Sequence, residues 1–130
     1  MKVLVDTQCW LWMQAAPERL SDRCRDVLAH ASHEVFLSAA SIWEMAIKVG
    51  VGKLRLPLPI HEYVHTRLEQ SRTGILPIDH HHALRVAGLP PHHRDPFDRM
   101  LVAQAQVERW PIVTADRQLA AYDVELIGVD

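Results

Sequence analysis

Apolar residues in this chain fall into two patterns: short unbroken runs, and longer stretches in which they recur every three or four positions. Val3-Leu4-Val5 and Val35-Phe36-Leu37 are solid runs rich in branched side chains, as is Ile112 to Thr114. This is the pattern of strands buried on both faces. Val124 to Ile127 reads as a last strand, and Ile75-Leu76-Pro77-Ile78 as a short one whose proline suits a sheet edge. Between the runs lie segments with helical spacing. Thr7 to Met13 predicts a short helix that ends near Pro17, and Ser21 is placed to cap a helix through about Ala31, with Cys24, Val27 and Leu28 inward. Ser41 opens a helix through about Val49, with Ile42, Met45, Ala46 and Val49 on its apolar face and Gly50 and Gly52 ending it. Residues 54–59 hold two prolines and are expected to be extended. Ile60, Val64 and Leu68 mark a helix that ends by Gly74, and Asp79 would cap one from about His80 to Ala87. Asp95 followed by Pro96 is a strong helix start, running to about Arg109, and Leu119 to Tyr122 reads as a helical turn. Strands alternating with helices argue for an α/β fold: a mostly parallel sheet with helices on both faces.

Length and composition narrow this picture. One hundred and thirty residues suit a single domain, 1–130, with one core. The 48% apolar and 23% charged content is that of a soluble globule. Cys9 and Cys24 form no disulfide framework, no apolar stretch approaches membrane-spanning length, and a cytoplasmic setting is expected. A net charge of −2 offers no global basic footprint for nucleic acid, although Lys48, Lys53, Arg55, Arg94, Arg99 and Arg117 lie near acidic positions and could form a local positive rim.

The charge pattern singles out four acids. Asp6 and Asp116 follow apolar runs, where functional groups of parallel sheets collect, and Glu44 and Asp98 fall in the first turn of their expected helices. Each also has a local structural account. Asp6 can cap the following helix, and Ser41-x-x-Glu44 matches a capping box. Glu44 can pair with Lys48 four residues on, Asp98 suits the helix dipole, and Asp116 suits a turn. Asp95 is the better cap of its helix, so Asp98 is assigned to the pocket. Those local accounts leave unexplained why acids recur where a βα sheet would gather them. Carboxylates crowded together call for a cation, and Mg2+ or Mn2+ prefers oxygen donors and lowers the pKa of a bound water, yielding a hydroxide that can attack phosphorus in line. Thr7 and Thr114 are candidates to orient a ligand or a water, and Arg99 to pair with a pocket carboxylate or a substrate phosphate.

With these residues in place, the chain resembles the PIN-domain ribonucleases, and among them the VapC-like toxins of type II toxin–antitoxin pairs. The likeness runs through Leu4-Val-Asp-Thr7, Ser38 to Lys48, Gly52-Lys-Leu-Arg-Leu-Pro57, His93-Arg-Asp-Pro-Phe-Asp-Arg99 and Val113-Thr-Ala-Asp116, in family order and spacing across almost the full length. The resemblance implies a PIN-like fold with a five-stranded, largely parallel sheet between helices. It implies a metal site on Asp6, Glu44, Asp98 and Asp116, and Mg2+- or Mn2+-dependent hydrolysis of RNA phosphodiester bonds by activated water. A VapB-like antitoxin and a homodimer are its implied partners.

Other features compete less well. The nine histidines, including His80-His-His82 and His92-His93, lack the spacing of a zinc site, and His92, His93 and Arg94 read as a solvated loop before the acidic helix, with phosphate contact as the alternative. Trp10, Trp12 and Trp43 read as core or dimer-interface residues, and Cys9 as a small packed one. A phosphoacceptor receiver domain would need paired acids after the first strand, a mid-sheet Asp and a lysine after the last strand, but Asp6-Thr-Gln8 offers one acid and no lysine follows Lys53; a haloacid-dehalogenase-type phosphatase would need D-x-D there, which Gln8 denies. A catalytically silent PIN-like binding or regulatory module is the remaining alternative.

Overall fold

The computed structural model describes residues 1–129. Five strands, β1 (Lys2–Val5), β2 (Glu34–Ser38), β3 (Gly74–Leu76), β4 (Ile112–Val113) and β5 (Leu126–Ile127), form one sheet in the order β3-β2-β1-β4-β5. Every neighbouring pair is parallel, with Val3 opposite Val35, Val5 opposite Leu37 and Val113, and Val113 opposite Ile127. The expected α/β class with a five-stranded sheet is therefore observed. Among the described residues six α-helices connect the strands: α1 (Thr7–Ala15), α2 (Asp22–Ala29), α3 (Ala39–Gly50), α4 (Ile60–Gln70), α5 (His80–Ala87) and α6 (Pro96–Glu108).

The alternation of side chains along β1 divides the interior into two layers. Val3 and Val5 point to a core shared with Trp10, Cys24, Leu28, Met45, Tyr63 and Leu68, from α1 to α4. Leu4 points the other way, to Leu101, Val102, Ala103 and Ala105 of α6, with Leu119 and Tyr122. All three β1 residues are fully buried, each contributing on the order of 1.5–3 kcal/mol by burial, so the central strand is firmly anchored. The described helices are all too short or too polar to cross a membrane.

Most expected elements appear, with small changes at their ends. Ser21, Asp79 and Asp95 cap α2, α5 and α6 through their side chains. β3 is an edge strand next to Pro77, as its proline required. β5 is shorter than expected, because the N–H of Val124 turns back to the carbonyl of Tyr122. The larger correction concerns α3. Its cap is Ser38, whose hydroxyl accepts the N–H of Ala40, not Ser41, which lies buried inside the helix. Strand β2 passes into the helix without a loop, so Glu44 sits in the second turn, beyond reach of a capping box. The apolar face shifts accordingly: Met45 is buried while Ala46 is exposed.

Gly128 has a left-handed φ of +108°, and a Cβ there would lie 2.7 Å from the carbonyl of Thr114 and collide with Cys24 Sγ. Glycine lets the chain after β5 pass tightly over the end of β4, where the site begins.

Candidate active site

Successive connections carry the chain from β1 out through β2 to β3, then back across to β4 and β5. The reversal falls between β1 and β4, and a crevice opens at the carboxyl ends of strands at such a point. Asp6 leaves β1 there. Its Oδ1 accepts the N–H of Cys9 at 2.7 Å, capping α1, and its Oδ2 accepts the hydroxyl of Thr114. Asp116, two residues beyond Thr114, uses Oδ1 in the same way, accepting the N–H of Gln118 at 2.9 Å. The Thr114 oxygen also accepts the N–H of Asp116 at 3.0 Å, so one buried hydroxyl sets the spacing of two acids.

Glu44 reaches the same place from α3. Thr7 donates its hydroxyl to Oε1 at 2.7 Å, and the Lys48 ammonium donates to Oε2 at 2.8 Å. Asp98 arrives from the first turn of α6, where Asp95 caps the helix through the N–H groups of Phe97 and Asp98. Asp6, Glu44, Asp95, Asp98 and Asp116 line one cavity of about 280 Å3, together with Thr7, Lys48 and Lys53; Leu11, Met45 and Leu54 give it an apolar wall. The structure thus brings together all four acids singled out in the sequence. Capping and site geometry turn out to be compatible rather than rival accounts of Asp6 and Asp116, because each carboxylate oxygen that accepts one hydrogen bond keeps a second lone pair.

The electrostatics of the cavity are those of a site short of positive charge. Burial raises the Asp6 carboxyl above the ordinary range, against the lowering effect of its hydrogen bonds to Thr114 and Cys9, and Asp116 adds to the rise. Asp98 is pushed up to about 7, first by burial and then by Asp95, with smaller contributions from Glu44 and Asp116 and an opposing one from His93. Lys48 is raised chiefly by its hydrogen bond to Glu44. Hard oxygen donors that resist full ionisation together suit an oxygen-preferring divalent cation, so the residues fit Mg2+ or Mn2+. Burial, and then the Asp6 charge, push the Cys9 thiol far up, which removes it as a nucleophile.

Two sequence-based assignments change. Arg99 contacts no carboxylate of the cavity. Its guanidinium donates to the carbonyls of Val86, in the last turn of α5, and Pro90, just beyond it, and to the Tyr122 hydroxyl, tying the start of α6 to the end of α5. His93 moves the opposite way. Expected in a solvated loop, it is nearly buried, with Nε2 3.3 Å from Oδ2 of both Asp98 and Asp116. Those three residues each offer a ligand atom within 4.8 Å of the others. The one sequence signal for His93 was its place two residues before the cap Asp95, close enough for its ring to accept that residue's N–H. Of the other histidines, His82 is buried between α5 and α6 with both ring nitrogens engaged, Nδ1 by the N–H of Asp79 and Nε2 by Glu108 at 2.9 Å.

With sheet order and site in place, comparison with known proteins gives a consistent result. The chain belongs to the PIN domain family, whose model matches residues 3–125. It is 32% identical over 122 residues to Ribonuclease VapC22 of Mycobacterium tuberculosis (strain ATCC 25618 / H37Rv), a match covering 92% of this chain and 91% of that protein. Among solved structures it is similar to FitAcB from Neisseria gonorrhoeae, with a TM-score of 0.62 and 26% identity over 95% of both chains. VapBC-5 from Mycobacterium tuberculosis, a member of the VapBC family of toxin-antitoxin systems, shares the fold with a TM-score of 0.63 at 21% identity, covering 98% of both chains.

Proposed function

We propose that residues 1–130 act as one PIN-domain unit, a metal-dependent endoribonuclease toxin of a type II toxin–antitoxin pair. The observation that carries this reading is the convergence of Asp6, Glu44, Asp98 and Asp116, from four different elements, on one cavity. The identity to a protein named as a ribonuclease over 92% of the chain supports the choice of reaction.

In this reading the four acids hold Mg2+ or Mn2+, which when bound supplies Lewis-acid charge and lowers the pKa of water at neutral pH. The protein contributes position. Thr114 fixes the spacing of Asp6 and Asp116, and Thr7 aims Glu44. Lys48 and Lys53 on the cavity wall attract the phosphodiester backbone of RNA locally, in a chain whose net charge gives no general attraction. No side chain serves as a covalent nucleophile.

A VapB-like antitoxin as partner is supported by the toxin–antitoxin systems in which structural relatives occur. Trp43 and Ile47 on α3 and Val51 at its C-cap lie exposed at four-residue spacing, an apolar strip that suits coverage by a second subunit in a homodimer. The setting is cytoplasmic. The test is RNA cleavage by purified protein freed of antitoxin: cleavage with Mg2+ or Mn2+, none after chelation, and none by Asp98→Asn. Cleavage indistinguishable from that of the Asp98→Asn control would leave a catalytically silent binding module.

A further inference from the structure

His93 is held from three directions. Its backbone N–H donates to the Tyr122 hydroxyl at 2.8 Å, and the same oxygen accepts from Arg99 at 3.2 Å. Ring Nδ1 accepts the backbone N–H of Asp95 at 3.1 Å, which ties the ring to the cap of α6. Nε2 faces Asp98 and Asp116 at 3.3 Å each.

These contacts decide where the ring carries its proton. A nitrogen facing an N–H donor must present a lone pair, so Nδ1 is bare and the hydrogen sits on Nε2. Nε2–H then donates to Oδ2 of Asp116, with Oδ2 of Asp98 at the same 3.3 Å, which is a consistent arrangement. Direct ligation of a cation through Nε2 would need the proton on Nδ1, where it would confront the N–H of Asp95 donor to donor. The backbone of the α6 cap therefore excludes the ligand role that proximity alone would suggest.

We propose that His93 is a positioning residue. Through its Nε2–H it bridges Asp98 and Asp116 and holds their carboxylates at the separation a divalent cation needs, without joining the coordination. Two acids from different elements would otherwise repel one another and turn toward solvent. Arg99, which touches no site carboxylate, acts at one remove: it steadies Tyr122, which steadies His93. This inference rests on the metal-binding reading of the site.

The test is metal binding by RNA-free protein, with no cleavage measured. Mn2+ is titrated into wild type, His93→Ala and His93→Gln, the glutamine restoring an N–H near Nε2. Loss of an outer hydrogen-bond partner typically weakens metal binding 10- to 100-fold, so His93→Ala should bind Mn2+ at least about tenfold more weakly and His93→Gln should recover most of the loss. In wild type, 15N spectra of the imidazole should show Nε2–H retained when Mg2+ is added. Equal or tighter Mn2+ binding by His93→Ala overturns the proposal, as does a glutamine variant no better than alanine. Loss of the Nε2 proton on Mg2+ addition overturns it too, by making His93 a ligand. Wild type that takes up no Mn2+ sinks the metal reading itself, and this inference with it. Wild type that binds while His93→Ala binds equally sinks only the inference.

Discussion

Thr7 donates its hydroxyl to Oε1 of Glu44 at 2.7 Å, joining the start of α1 to the second turn of α3 across the mouth of the cavity. Both residues are largely buried, so the bond is shielded from water and from salt. Hydrogen bonds to charged groups contribute about 1.5–3 kcal/mol, so Thr7→Val should lower unfolding free energy by about that amount in urea denaturation while Thr7→Ser changes it little. An unaltered midpoint for the valine variant would show that Glu44 finds another donor.

Asp98 sets a pH dependence. Its folded-state carboxyl is raised to about 7 from an ordinary 3.8, so between those values the folded protein holds a proton that the unfolded chain has lost. Stability of the metal-free protein therefore falls as pH rises through this window, and Asp6 acts in the same direction. Asp98→Asn removes the Asp98 share of the effect. At pH 8 without metal, the variant should melt higher than wild type by a few degrees, roughly 3–6 °C, with the gap closing toward pH 4. A variant less stable than wild type at pH 8 would contradict the raised carboxyl.

Lys48 offsets the Glu44 charge in the metal-free site, 2.8 Å away and half-exposed. Such a pair contributes up to about 1 kcal/mol, so Lys48→Met should be modestly destabilised without metal. Added Mg2+ supplies the missing charge. The rise in melting temperature on saturation should thus be larger for Lys48→Met than for wild type, in a thermal-shift series over metal concentration. Equal rises would separate Glu44 from the cation.

Gly128 is predicted to be intolerant. Gly128→Ala forces a Cβ against the Thr114 carbonyl and Cys24 at a φ of +108°. Overpacking and backbone strain together should cost about 3 kcal/mol or more in chemical denaturation. Because Thr114 spaces Asp6 and Asp116, the same change should weaken Mn2+ binding in whatever fraction folds. Wild-type affinity there would uncouple the β5 turn from the site.

The elements were legible in the sequence because their signals are local. Solid β-branched runs gave the strands, and Ser21, Asp79 and Asp95 marked helix starts at which side-chain oxygen meets backbone N–H. The start of α3 was misread for a reason equally local: Ser38 and Ser41 are both competent caps, and only the direct passage of β2 into the helix selects the first. Arg99 was misjudged because adjacency to Asp98 in sequence says nothing about direction. Neighbouring residues on a helix face different ways, and Arg99 turns to carbonyls at the end of α5 and just past it. His93 was passed over because a histidine in a polar loop has no periodic signature. Its role depends on a nitrogen meeting acids 5 and 23 residues further along the chain.

By itself, then, the sequence determined the alternation of strands and helices, the caps, and which acids stand at strand ends and helix starts, since all of these follow from contacts within a few residues. Tertiary structure decided which oxygens of those acids are consumed by capping and which face the cavity. It also decided that Thr114 and His93 bridge them. Those outcomes depend on the order in which β1 and β4 come to lie side by side, a relation between segments 108 residues apart that no local pattern encodes.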